Sequence, residues 1–108
     1  MIHFPALVRH DNEDELIYID SLQDWQNDEE MLLYIFTERD VLIDSTGQVF
    51  LLPDVQENLT TATPIANATV ENITELVQAH VHILGHCCSE KIRFNTVSEA
   101  IAAIKDLQ

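Results

Sequence analysis

Residues Val41–Leu52 read VLIDSTGQVFLL, and this stretch decides the fold. Two apolar runs flank Asp44-Ser45-Thr46-Gly47, a cluster of turn formers whose glycine can take the positive φ that hairpin loops need. Side chains in a strand alternate between faces. Val41, Ile43, Val49 and Leu51 therefore share one face, and Leu42, Phe50 and Leu52 the other. Both faces are apolar, so the hairpin belongs inside a sheet that is covered on both sides. Helices of this chain account for one cover. The other is either more of the chain or a second subunit.

Upstream, residues 2–10 alternate in the same way, with Ile2, Phe4, Ala6 and Val8 on one side and His3, Pro5, Leu7 and Arg9 on the other. Pro5 cannot donate to a ladder, which predicts an edge strand or a bulge there. Asp11–Asp14 is a polar turn and Glu15–Asp20 a second strand. With the turn centred on Asn12-Glu13, Val8 faces Ile17, Ala6 faces Ile19 and Leu7 faces Tyr18, a register that joins the apolar faces. Ser21, with Asp24 three residues on, caps a short helix over about 21–28. Met31–Phe36 (MLLYIF) is a compact apolar run read as a buried strand because it is short.

Downstream, 53–66 reads as a loop rich in Thr, Asn and Pro. A long helix follows over about 69–85, with Ile73, Leu76, Val77, His80, Val81, Ile83 and Leu84 on its apolar side and Gly85 as its stop. Lys91–Phe94 is a candidate short strand. Thr96 or Ser98 caps a last helix over about 97–107, whose stripe is Val97, Ile101, Ile104 and Leu107. The fold class is α+β: a small antiparallel sheet, with hairpins near 2–20 and 41–52, carrying packed helices. At 108 residues the chain fits a single domain, 1–108.

Composition narrows the function classes. The formal net charge is -14, and it is uneven: residues 1–60 hold 14 Asp/Glu against 2 Lys/Arg, and 61–108 hold 5 against 3. Such a surface repels nucleic acid and anionic lipid. It can steer association with a basic partner, and it also promotes solubility. No apolar run reaches the roughly 18 residues of a membrane span, and nothing at the start reads as a secretory signal. The two cysteines, Cys87 and Cys88, are neighbours without a disulfide framework, which suits a reducing cytoplasm.

Three groups of residues carry candidate chemistry. His82 and His86 lie at i and i+4, with Cys88 as a softer third ligand; imidazole and thiolate together favour zinc. Against this, Gly85 interrupts the helix between the histidines, and His80 falls on the apolar side, the place of a hydrogen-bonded core histidine. Cys88 with His82 or His86 is also the raw material of a thiolate–imidazolium pair, but no nucleophile signature surrounds it. The acidic clusters Asp11, Glu13, Asp14 and Asp28, Glu29, Glu30 lack the ligand spacing of a calcium loop and read as surface that meets a basic partner. With only Gly47 and Gly85, no Gly-rich phosphate loop is possible. Trp25, Tyr34, Phe36 and Phe50 are core or, failing that, a homodimer seam or partner patch.

The hairpin Leu42–Phe50, after its strand and short-helix opening, resembles short acidic proteins of unknown function from marine gammaproteobacteria. The resemblance covers the first half of the chain. It implies a bacterial cytoplasmic origin and an acidic proteome, and it transfers no activity and no site residues. The reading is thus a non-enzymatic acidic interaction module with a basic protein partner and no cofactor. A metal-binding protein using His80–Cys88 is the alternative.

Overall fold

The structure is a computed structural model that describes residues 1–107. Among them, five strands form one antiparallel sheet in the order β2-β1-β3-β4-β5. The strands are β1 (Ala6–Arg9), β2 (Leu16–Ile19), β3 (Val41–Asp44), β4 (Gln48–Leu51) and the two-residue β5 (Ala66–Asn67). The helices are α1 (Leu22–Asn27), α2 (Glu29–Leu33), α3 (Leu52–Glu57), α4 (Val70–Ile83) and α5 (Val97–Leu107), with a single 3-10 turn at Ser89–Lys91. The expected α+β class stands.

Registers follow from the alternation. Val8 pairs with Ile17, Leu7 with Tyr18 and Ala6 with Ile19, while Leu42 pairs with Phe50 and Ile43 with Val49. β3 also pairs with β1, which places β1 in the sheet interior. An edge position for the first strand, expected from Pro5, is therefore corrected. Pro5 precedes the first ladder residue, so its missing N–H removes no sheet bond.

The sheet has a buried face on each side. On one, Ala6, Val8, Leu42 and Phe50 pack with Trp25 of α1, Met31 of α2, Val55 of α3 and the connecting Phe36 and Ala62. On the other, Leu7, Leu16 and Ile43 pack under Ile73, Val77 and Val81 of α4 and Ala100, Ile101 and Ile104 of α5. Both covers come from this chain. Complete burial of a side chain such as Phe50 contributes about 1.5–3 kcal/mol, so the two layers supply most of the driving force.

Three local expectations change. Residues 53–57 of the expected loop are helical and take Leu52 from the end of the hairpin, because Pro53 falls in the first turn of α3, where a missing N–H costs nothing. Beyond α3, Ala66–Asn67 adds an edge strand to β4. Lys91–Phe94 forms no strand: Lys91 closes the 3-10 turn, and the carbonyl of Ile92 accepts from the Gln78 side chain at 2.9 Å instead of from a sheet neighbour. The third change, at 31–36, shapes the candidate site.

The turn of the central hairpin is built around Asp44, which is fully buried. Its Oδ1 accepts from the Thr46 N–H at 3.0 Å, the Gln48 N–H at 3.0 Å and the Thr46 hydroxyl at 2.7 Å. Its Oδ2 accepts from the His3 N–H at 3.0 Å, tying the chain's start to the turn. Gly47 completes the turn at φ +91, with its carbonyl accepting from the Ala68 N–H at 2.7 Å. A Cβ there would stand 2.6 Å from the Ala68 carbonyl oxygen, so close approach and backbone angle both require glycine.

Candidate functional site

The segment from Ser21 to Asp40 forms the edge of one helical layer. Ser21 caps α1 by accepting from the Asp24 N–H at 3.1 Å. Asp28 ends α1 and caps α2, its Oδ1 accepting from the Met31 N–H at 3.1 Å. The two helices meet at this residue because its extended backbone interrupts the helical ladder while its side chain restarts one.

The run Met31–Phe36 is not a buried strand. Met31–Leu33 finish α2, and Tyr34–Phe36 continue without strand pairing. The physical reason is the Gln56 side chain of α3. Its amide nitrogen, with two N–H donors and one of them shared, reaches the carbonyls of Met31 at 3.0 Å, Leu32 at 3.0 Å and Tyr34 at 2.8 Å, groups that a strand would have paired in a ladder. Downstream, Asp40 holds the return: its Oδ2 accepts from the Thr37 N–H at 2.7 Å, and its Oδ1 from the Asp11 N–H at 2.8 Å. Burial acts to raise the Asp40 pKa. The N–H groups of Thr37 and Asp11, the nearby His10 ring and the Thr37 hydroxyl outweigh burial and hold it below the ordinary carboxylate value.

The ends of the run, Met31 and Phe36, are buried, and the residues between them face water. Leu33 is 81% exposed and Ile35 90%, with Leu32 and Tyr34 partly exposed beside them. The Tyr34 ring is seated against His10 and Phe36, with centroids 4.8 Å away in each case. The segment is thus a fixed ridge with apolar side chains outward. Its rim is acidic. Asp24, Asn27, Asp28, Glu29 and Glu30 line one shallow depression, and Glu29, Glu30, Leu33 and Tyr34 line the next.

The sequence-predicted acids divide accordingly. Asp28, Glu29 and Glu30 adjoin the apolar ridge. Asp11 lines a separate depression with Thr37, Glu38 and Arg39, and its carboxylate is 3.9 Å from the Arg39 guanidinium. Glu13 and Asp14 are exposed on the β1–β2 turn and line neither depression of the ridge. Of the four aromatics, Trp25, Phe36 and Phe50 are core, and Tyr34 is half exposed.

His80–Cys88 takes a different form from a metal centre. His80 is buried, and its Nδ1 accepts from the Leu16 N–H at 2.9 Å, so the ring is neutral with its proton on Nε2. Burial pushes its pKa below the ordinary histidine value, against smaller upward pulls from Glu15 and the Leu107 carbonyl. That carbonyl is near enough to favour the protonated ring without closing a hydrogen bond of standard geometry to Nε2. Gly85, at φ +83, terminates α4: its N–H reaches the His82 carbonyl at 3.0 Å, and the His86 N–H reaches Val81 at 3.4 Å. His86 is thereby turned out of register with His82. Among the described residues, no three His, Cys, Asp or Glu side chains converge as a metal would require, and His82, His86 and Cys88 are not brought together.

Cys87 and Cys88 are exposed free thiols with Sγ atoms 3.3 Å apart. Cys88 has φ +63, a left-handed conformation that costs a non-glycine residue on the order of 1 kcal/mol. Sequence reasoning missed Asp40 and Asp44 as buried acceptors. The Asp44-Ser45-Thr46-Gly47 pattern held the signal for the second, since Asp commonly bonds the N–H two residues on.

A family model described as a protein structure with unknown function, DUF4144, matches residues 4–104. The chain belongs to the DUF4144 family. A solved structure titled as the NMR structure of the protein from Shewanella amazonensis is similar at 29% identity with a TM-score of 0.73; the alignment covers 100% of this chain and 91% of that one. No curated protein matches. The DUF4144 match spans the ridge, its acidic rim and the thiol pair, so all three lie within the family's domain. Among the described residues, no helix is long and apolar enough to cross a membrane.

Proposed function

We propose that this DUF4144 protein is a non-enzymatic interaction module whose acidic N-terminal half captures a basic protein partner. The observation that carries the proposal is the ridge Leu32–Ile35, held rigid by Gln56 and bordered by Asp28, Glu29 and Glu30. An ordered backbone that keeps leucine and isoleucine in water retains its hydration cost until something covers it. The neighbouring carboxylates favour a partner with lysine or arginine around an apolar anchor. Asp11, Glu13 and Asp14 lie further out and contribute to steering encounter.

A second copy of the chain is the competing occupant. A two-fold interface would place the same patch against itself. It would bring Glu29 and Glu30 towards their own images, a like-charge contact that opposes dimerisation through this ridge. A bacterial cytoplasmic setting fits the unpaired thiols and the similarity to a Shewanella protein.

The test is capture from source-cell lysate at low and high salt, comparing the native chain with Leu33→Ser/Ile35→Ser and with Glu29→Gln/Glu30→Gln. The expected result is one basic protein retained in stoichiometric amount by the native chain at low salt. It is lost with the apolar variant and reduced with the charge variant. Retention of the same proteins by all three chains, or of none by the native chain, overturns the proposal.

A further inference from the structure

Cys87 and Cys88 lie outside the acidic ridge, in the turn that follows α4. Successive side chains of an extended chain point apart. Here the left-handed backbone of Cys88, φ +63 and ψ 28, folds both onto one side and sets their Sγ atoms 3.3 Å apart. Structure on either side holds that arrangement. The glycine stop of α4 fixes the approach, and the Lys91 N–H donates to the Cys88 carbonyl at 3.0 Å as the 3-10 turn begins. Ser89, which follows, is buried and anchors the turn. Packing alone would favour glycine at a left-handed position, so cysteine there points to a use for its sulfur.

We infer that Cys87 and Cys88 form a vicinal dithiol site for trivalent arsenicals, thiophilic electrophiles that bind two sulfurs at once. The reaction with an arsenoxide, R–As=O, is a condensation. Two As–S bonds form, the As=O bond and both S–H bonds break, and the two protons leave with the oxygen as water. Arsenic stays trivalent and no electron is transferred. A direct disulfide fits this site poorly. Consecutive Cα atoms across a trans peptide are about 3.8 Å apart, and unstrained disulfides span roughly 4.4–6.8 Å. A bridging atom between the sulfurs relieves that mismatch.

Phenylarsine oxide is the probe, applied to the full chain under reducing conditions and followed by native mass spectrometry and thermal unfolding. One adduct per chain is expected, stripped by ethanedithiol and not by an equal concentration of a monothiol. Cys87→Ser and Cys88→Ser should each weaken binding at least tenfold. The melting temperature of the native chain should rise with the probe, because the folded backbone holds the pair preset side by side whereas the unfolded chain must be ordered to bind. An adduct that persists in either serine variant, or an unchanged or lowered melting temperature on binding, overturns the inference.

Discussion

Replacing Asp44 by alanine should be among the most damaging single changes in this chain. The carboxylate is fully buried and accepts from three backbone N–H groups and one hydroxyl. Thr46 is exposed, so its two donors can turn to water after the substitution. The half-buried Gln48 N–H has no such ready substitute, and the His3 N–H, on an exposed residue but in a part-buried bond, only a partial one. A hydrogen bond to a charged acceptor contributes about 1.5–3 kcal/mol; two such losses, the His3 one softened by water, put Asp44→Ala at the low end of about 3–6 kcal/mol. That is a large share of the roughly 5–15 kcal/mol total stability of a domain this size, but the chain should still fold. Asp44→Asn separates the parts. Its carbonyl oxygen can replace Oδ1 and keep three donors, while its amide nitrogen faces the His3 N–H, donor against donor. A loss of about 1–2 kcal/mol is expected. Urea unfolding followed by far-UV circular dichroism, with an unchanged m-value, measures both. An alanine variant within 1 kcal/mol of the native chain refutes the reasoning, as does an asparagine variant no better than alanine.

Other perturbations probe the same architecture. Gly47→Ala combines positive φ with a backbone clash at 2.6 Å and should cost more than about 2 kcal/mol in the same unfolding assay. Gln56→Ala frees three carbonyls of the ridge segment; amide exchange at Leu33–Thr37 should accelerate about tenfold or more, a loss of at least about 1.4 kcal/mol of local protection. Two groups with lowered values shape the acid side of the pH response, with the same sign. The His80 pKa is lowered on folding, so between its folded value and about 6.5 the unfolded chain binds more protons, and stability falls as pH drops below about 6.5. The Asp40 pKa is also lowered, so its contribution is present above about 3.9 and is lost as pH falls through the folded value. In stability–pH curves, His80→Asn should flatten the first limb and Asp40→Asn the second.

The hairpin register was legible because period two leaves little freedom: slipping β3 against β4 by one residue would turn Leu42 and Phe50 away from their layer. Caps were equally legible, since Ser21 and Thr96 accept the N–H three residues on, as their side-chain chemistry dictates. The ridge was not. Six apolar letters in a row look buried, and what exposes four of them is Gln56, more than twenty positions away and unremarkable in sequence. Helix α3 was hidden in a stretch read as loop from its Thr, Asn and Pro content, although Pro53 sits where a first turn accepts one. For the candidate sites, composition offered acidic clusters and a His/Cys segment but no geometry. It could not show that His80 faces inward to Leu16, or that the left-handed turn at Cys88 sets the thiols together. Those placements depend on tertiary contacts and on a backbone angle that residue type does not determine.

The sheet acts as a partition between two compartments of side chains. The ridge is an outgrowth of the α1–α3 layer and the thiol pair a continuation of α4 in the other layer, so the two surfaces have no core residue in common. Perturbations confined to opposite layers should therefore combine additively. A partner docked on the ridge would leave the dithiol open, and occupancy of one surface should report little about the other. Any cooperation between them would have to pass through the sheet, whose strands β1–β4 send alternate side chains into both compartments.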